Sequence, residues 1–351
     1  MLDVINALRH WQPRGEPIAI ATVVRTWGSA PRQAGAKLAV TASGSITGSV
    51  SGGCIEGAVF EACQAVIAIG HARLLHFGVA DETAWDVGLA CGGAITVFVQ
   101  RFDLHDELLI RTVTATEPVA AVTLIALPSS THNLMIGTRM LVWADGRSAG
   151  SLGSTHLDTA LTPLVRASLL IGETRVVEVP VFAGSESAAT LFIESFVPPP
   201  TLFIVGAVHI AVALVTLAKT LGFRTVVIDA RPAFATVERF AHADELIIAW
   251  PDEALAGRLN QYSYVAVLTH DPKLDDPALT IALASNARYI GALGSPSTHA
   301  KRKRRFHEAG FSDAQLGRIH APIGLPIGAR NAEEIALSII AEVVKTRRNA
   351  G

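Results

Sequence analysis

Hydrophobic positions along the chain fall into two regimes. In the first half, short apolar runs rich in β-branched residues predict strands over Ile18 to Val24, Lys37 to Thr41, Ile46 to Val50, Leu74 to Phe77 and Ile95 to Val99. Leu2 to Trp11 reads as a short amphipathic helix. Ala58, Glu61, Ala62, Ala65 and Ile69 recur at helical spacing, so a second helix follows the glycine pair Gly52-Gly53. After Pro198-Pro199-Pro200, a stiff and extended run, strands alternate with helices. Leu202 to Val205, Thr225 to Ile228, Glu245 to Ala249, Tyr264 to Leu268 and Tyr289 to Leu293 are the strands. A capping-box pattern, Asn331-Ala-Glu-Glu334, opens a closing helix. The fold class is therefore α/β. Residues 1–197 form a mixed α/β domain, and 198–351 form a Rossmann-like, doubly wound parallel sheet.

The first half also repeats itself. Gly35-Ala-Lys-Leu is matched by Gly137-Thr-Arg-Met, Gly44 by Gly146, Gly48-Ser49 by Gly150-Ser151, and Ile69-Gly70 by Ile171-Gly172, all at an offset of 102. Pro17-Ile-Ala-Ile-Ala-Thr is answered by Pro118-Val-Ala-Ala-Val-Thr. The pattern reads as tandem copies over 16–101 and 117–197, the second degenerate. At that offset Cys54 falls on His156, so the glycine–cysteine chemistry belongs to copy one alone.

Composition narrows the class. Half of the residues are hydrophobic and 17% are charged, which excludes a disordered chain. A net charge of −2 removes any global pull toward nucleic acid. Lys301 to Arg305 are consecutive and must point all round a helix; Lys301 or Arg302 could face a phosphate or an acidic partner, and the rest are solvated. The three cysteines, Cys54, Cys63 and Cys91, form no disulfide framework and lack C-x-x-C spacing, so no metal site is predicted. Apolar runs are too short for a membrane span, and the start lacks a signal pattern. The expected location is cytoplasmic, and the apolar composition favours a homodimer.

Candidate chemistry sits on turns. Gly52 and Gly53 precede a helix N-terminus, where free N–H groups and the helix dipole favour an anion and a thiolate. Cys54 follows at once, and Cys91-Gly92-Gly93 is a second glycine-flanked cysteine. Both cysteines read equally as small buried residues beside turns. In the second half, loops after the strands offer Gly206, His209, Asp229, His270, Asp271 and Ser295. Gly206-Ala-Val-His-Ile-Ala211 has Val208 where a dinucleotide fingerprint needs glycine. Asp229 suits either a ribose hydroxyl or a turn. His209 and the His270-Asp271 pair suit either a ligand or a cap. Ser295 is a good N-cap with Pro296 after it.

Thr26-Trp-Gly-Ser-Ala-Pro-Arg32, Ser49-Val-Ser-Gly-Gly-Cys-Ile-Glu56 and Trp85-Asp-Val-Gly-Leu-Ala-Cys-Gly-Gly93 resemble the XdhC/CoxI family. So do Leu268-Thr-His-Asp-Pro-Lys-Leu-Asp-Asp-Pro277, Gly291-Ala-Leu-Gly-Ser295 and Ala321-Pro-Ile-Gly-Leu-Pro-Ile-Gly-Ala329. The resemblance implies an accessory chaperone for xanthine dehydrogenase-type molybdenum hydroxylases, rather than an enzyme. Such a protein binds molybdenum cofactor, supports its sulfuration with a cysteine desulfurase or cofactor sulfurase, and delivers it to the apoenzyme. On this reading Cys54 or Cys91 contacts the molybdenum end or relays sulfur. Gly52, Gly53, Gly92, Gly93 and Ser295 would border the anionic cargo, and Ser295 and Thr298 would hold its terminal phosphate. The expected site lies between the glycine–cysteine face and the strand ends of the second domain. The family carries glycine at the position of Val208, and this chain departs from it there. Two other readings stay open: an NAD(P)-dependent oxidoreductase, and a ligand-free adaptor between sulfurase and apoenzyme.

Overall fold

The β-branched run at Ile18 becomes the strand around which the first unit is built. The computed structural model describes residues 4–30, 32–78, 93–114, 117–128 and 134–348. The chain divides into two units, Met1–Val197 and Pro198–Gly351.

The first unit contains α1 (Ile5–Trp11), β1 (Ile18–Trp27), β2 (Lys37–Thr41), β3 (Ile46–Gly48), α2 (Glu56–Ile69), β4 (Arg73–Phe77) and β5 (Ala94–Arg101). It continues through α3 (Leu104–Thr114), β6 (Val119–Ala126), β7 (Arg139–Trp143), β8 (Ser148–Gly150), α4 (Thr155–Ile171), β9 (Arg175–Pro180) and β10 (Ala188–Phe196). The two sheets have the same order, β3-β2-β1-β5-β4 and β8-β7-β6-β10-β9, so the repeat is structural. Gly48 and Gly150 take φ of 80° and 82°. At each, an added Cβ would collide with a carbonyl of the neighbouring strand, that of Lys37 or of Arg139. Both turns therefore require glycine. The copies part company after β4 and β9: residues 78–93 lead to β5, but only 181–187 lead to β10.

Each sheet buries one face under its own helix. Val59, Cys63 and Val66 of α2 pack on Ala21, Val97 and Val99. Leu161, Val165 and Leu169 of α4 pack on Val122, Leu191 and Ile193. The opposite faces meet each other. Ile18, Ile20 and Ala39 share a cluster with Val119, Ala121 and Leu141, and Val24 and Phe98 share one with Ile125 and Phe192. One copy alone would leave an apolar sheet face in water; the second copy covers it.

Polar groups interrupt this intersheet layer. Lys37 Nζ donates to Thr22 Oγ1 at 3.0 Å and to Glu194 Oε2 of copy two at 2.8 Å. Both partners are over nine-tenths buried. Burial pushes the Glu194 carboxyl up, but the Lys37 charge and hydrogen bond outweigh it and hold the group below its ordinary range. The position equivalent to Lys37 is Arg139, which bonds Asp106 of α3 instead.

The second unit alternates as expected. It comprises β11 (Thr201–Val205), α5 (His209–Thr220), β12 (Arg224–Ile228), α6 (Val237–Phe240), β13 (Glu245–Ile247), α7 (Pro251–Leu255) and β14 (Ser263–Val267). Then follow α8 (Pro272–Ala284), β15 (Tyr289–Ala292), α9 (Pro296–Glu308), α10 (Asp313–Leu316), β16 (Ile319–His320) and α11 (Ala332–Arg348). All strands are parallel, in the order β13-β12-β11-β14-β15-β16. Strand β16 was not visible in the apolar pattern, because two edge residues make no run. At α11, Asn331 Oδ1 accepts from Glu334 N at 2.8 Å, while the Glu334 carboxylate accepts from Arg330 N, one residue earlier than a capping box requires. No described helix is long and apolar enough to cross a membrane.

The ion pair between the copies has a measurable signature. Lys37→Met removes the buried ammonium that donates to Glu194 and should cost about 3–5 kcal/mol. The double change Lys37→Met with Glu194→Leu should recover most of that in urea unfolding. Equal losses in the single and double variants would show that the pair does not carry the seam.

Candidate functional site

The turn before α2 is built around one carboxylate. Glu56, in the first turn of the helix, reaches back along the chain. Its Oε1 accepts from Ser49 Oγ at 2.6 Å, Ser51 N at 2.9 Å, Gly52 N at 3.1 Å and Val50 N at 3.2 Å. Its Oε2 accepts from Gly53 N at 2.8 Å and from the Ser51 hydroxyl. Burial acts to raise the Glu56 pKa, but hydrogen bonds from Ser49, Ser51 and Gly53 prevail and bring it down to about 2. Gly52 and Gly53 have φ of 80° and 125°, which lets successive N–H groups converge. The turn is thus an anion nest, and the anion in it is the chain's own. The Gly52 and Gly53 N–H groups are spent on Glu56. What the turn presents outward is Cys54, an exposed free thiol. Cys63 lies in the α2 core, where burial pushes its thiol up to about 12.

Copy two uses the same tie without the cysteine. Asp158, at the offset of Glu56, accepts from Ser151 Oγ at 2.7 Å and Leu152 N at 2.9 Å. Sequence reasoning missed this anchor, although the paired spacing of Ser49 with Glu56 and Ser151 with Asp158 was there to find it.

Cys91 and Gly92 lie outside the described residues. Gly93 is buried against the end of β1: a Cβ there would meet Trp27 O at 2.9 Å and Ala30 N at 3.0 Å. The absence of a side chain lets Gly93 pack on Trp27-Gly-Ser-Ala30. Trp27 itself is half exposed.

In the second unit, Gly206, Asp229, His270, Asp271 and Ser295 all follow the carboxyl ends of parallel strands, at one edge of the sheet. Gly206 has φ of 108°, and a Cβ on it would run into the side chain of Thr269. Asp229 is buried and holds this turn closed. It accepts from Ala207 N at 2.8 Å and from the Arg231 backbone and guanidinium at 2.8–3.0 Å. Burial opposes its ionisation, but the hydrogen bonds from Arg231 and Ala207 keep its pKa low. His209 is exposed at the first position of α5, 3.9 Å from Glu333. His270 takes φ of 72°, a left-handed conformation unfavourable for a residue with a Cβ. Asp271 caps α8 by accepting from Lys273 N. Ser295 caps α9, accepting from Thr298 N at 3.2 Å, and its hydroxyl lies 3.0 Å from that of Thr298. Arg302 is turned into the second unit. It is 2% exposed and donates to Asp275 and to the Leu293 carbonyl, whereas Lys301 is solvated. The basic run therefore holds a structural member that its sequence did not distinguish.

A family model described as the XdhC and CoxI family matches residues 11–78 and again 112–180. A second, described as the XdhC Rossmann domain, matches 202–343. A probable xanthine dehydrogenase subunit from Bacillus subtilis is 30% identical over 95% of this chain and 94% of its own length. The chain belongs to the XdhC and CoxI family. The two matched stretches of the family model end at Gly78 and Pro180, where β4 and β9 finish and the copies diverge. A molybdenum cofactor insertion chaperone of Escherichia coli, PaoD, is 27% identical over 95% of this chain and 84% of its own. A crystal structure described as a xanthine dehydrogenase from Bacillus halodurans aligns with a TM-score of 0.61 and 27% identity, over 98% of this chain and 95% of that one.

For this family member, the Glu56 tie fixes a pH window. The folded carboxyl titrates near 2, below an unfolded value of about 4.3. Its stabilisation is therefore present above the unfolded value and lost as pH falls toward the folded one. Amide exchange at Gly52 and Gly53 should quicken between those limits, while Glu56→Gln should show fast exchange already at neutral pH. Identical exchange in both proteins at neutral pH would remove the carboxylate from the turn.

Proposed function

We propose that the protein is a chaperone that binds molybdenum cofactor and delivers it to the apoenzyme of a xanthine dehydrogenase-type molybdenum hydroxylase. The observation that carries this is the exposed Cys54 thiol, set on a turn pinned by its own carboxylate, within a chain that matches PaoD over nearly its full length. A thiol held outward on a rigid turn suits a soft metal–sulfur centre, since little conformational freedom is lost when it binds. Cys54 is the proposed contact to the molybdenum–dithiolene end, or the carrier of sulfur received from a cysteine desulfurase or cofactor sulfurase. Cys91, in the longer connection that copy one has before its last strand, is the alternative. Within the second unit taken by itself, the N-terminus of α9 with Ser295 and Thr298 is the proposed position for a phosphate.

A nicotinamide oxidoreductase has less behind it. Val208 places a branched side chain where a pyrophosphate needs glycine. Asp229, the residue in position to take a ribose, already accepts four hydrogen bonds from Ala207 and Arg231.

The protein purified from a cofactor-competent host should carry molybdenum and pterin in near-equal amounts, measured by mass spectrometry and pterin fluorescence. Cys54→Ala should fold as wild type, carry less molybdenum and activate the client hydroxylase poorly. A wild-type protein with neither component, even after incubation with free cofactor, would end the carrier reading in favour of an adaptor.

A further inference from the structure

Helix α9 carries the run Lys301 to Arg305, and its sides use these cations differently. Arg302 and Phe306, four residues apart, are buried and fix which side of the helix meets the second unit. Arg305 lies at the margin, where Nε and Nη2 donate to Asp276 at 2.7 and 2.8 Å. At about 100° per residue, Arg304 falls opposite the buried pair, with Lys301 and Lys303 to either side of it. Lys301 and Arg304 are exposed and Lys303 is half-buried. Glu308, the last residue, is the only carboxylate in the helix. Among the described residues, none of the three cations has a carboxylate at ion-pair distance.

Elsewhere in this unit the chain answers its surface cations with its own acids. Lys219 meets Asp244 at 2.9 Å, and Arg224 and Arg258 meet Glu245 at 2.6 and 2.7 Å. On α9 the like charges repel one another instead. The crowding is felt at His299, where burial and then the charges of Lys303 and Arg302 hold the imidazole below its ordinary range. The chain has 31 acidic residues and a net charge of −2, so this face is a local positive field on a protein that is not basic. A surface of opposite sign relieves the repulsion and is steered toward it. The one aromatic side chain of the helix, Phe306, is buried, so no stacking group stands among the cations. The face therefore suits protein carboxylates better than nucleic acid. Because α9 starts directly after β15, a partner docked on it lies beside the strand-end loop of Ser295.

We propose that the outer face of α9, through Lys301, Lys303 and Arg304, docks an acidic surface of the client apoenzyme. The identity of the partner rests on the chaperone reading; the charged face does not.

The test measures binding of the full chain to the apo-hydroxylase of the same host by surface plasmon resonance across a salt series. The wild-type association rate should fall at least about tenfold from low to high salt. Lys301→Glu with Arg304→Glu should weaken binding at least about tenfold, chiefly through association. Its melting temperature should hold, since glutamate also favours a helix. Lys345→Glu with Arg348→Glu makes the same charge change at exposed positions in the last turn of α11 and should bind as wild type. Equal weakening by the two pairs, or wild-type affinity in the α9 pair, would overturn the proposal. So would tighter binding to duplex DNA or phosphatidylglycerol vesicles than to the apoenzyme. Molybdenum content, measured in parallel, reports on the carrier reading alone. A cofactor-free protein that still docks through α9 would uphold this proposal while ending that reading.

Discussion

A lysine buried between two apolar sheets has to find a hydrogen-bonding partner there, and a carboxylate is the strongest one. In this protein that carboxylate arrives from the other copy of a repeat. Lys37 and Glu194 are far apart in sequence, and 2.8 Å apart in the fold. The pair can form only when β2 of copy one and β10 of copy two are stacked in one relative position. Apolar packing supplies most of the drive to stack the sheets, but it is non-directional. The ion pair supplies register, because any slip strands a buried charge. Copy two solves the same problem locally, with Arg139 bonded to Asp106. That difference is why one seam is closed by charge and the other buries a neutral amide, that of Gln100.

The same economy governs the turns before α2 and α4. Each ends in a carboxylate that gathers the donors of the preceding loop, Glu56 in one case and Asp158 in the other. The scaffold is shared, and the added chemistry is not. Copy one puts Gly52, Gly53 and Cys54 on its turn and carries the longer connection between β4 and β5. A loop already organised by its own anion has no N–H groups left at Gly52 and Gly53 for a second one. Its thiol is therefore the group with chemistry to offer.

In the second unit, parallel strand order brings the loops that carry Gly206, Asp229, His270-Asp271 and Ser295 to one edge of the sheet, as open α/β sheets do. Most of what these loops display is committed to closing them. Asp229 holds the Gly206 turn, Asp271 starts α8, and Asp275 takes the Arg302 guanidinium. The strained backbone at His270 and the N-terminus of α9 are the features that such closure does not account for.

The amino-acid sequence by itself determined the α/β class, the change of pattern after Pro200, the repeat at an offset of 102, and the start of α9 at Ser295. Each is written in periodicity, spacing or a capping residue, and so depends on neighbours within a turn or two. The match to its family was equally legible, because contiguous motifs carry it. Tertiary structure alone decided what the polar residues do. That Glu56 fills the nest, that Arg302 is buried while Lys301 is solvated, and that Gln100 is left unpaired while Glu194 is not could not be read along the chain. The cost of burying a polar group depends on what stands opposite it. For Lys37, Gln100 and Arg302 that partner, or its absence, is set only when distant strands and helices have come together.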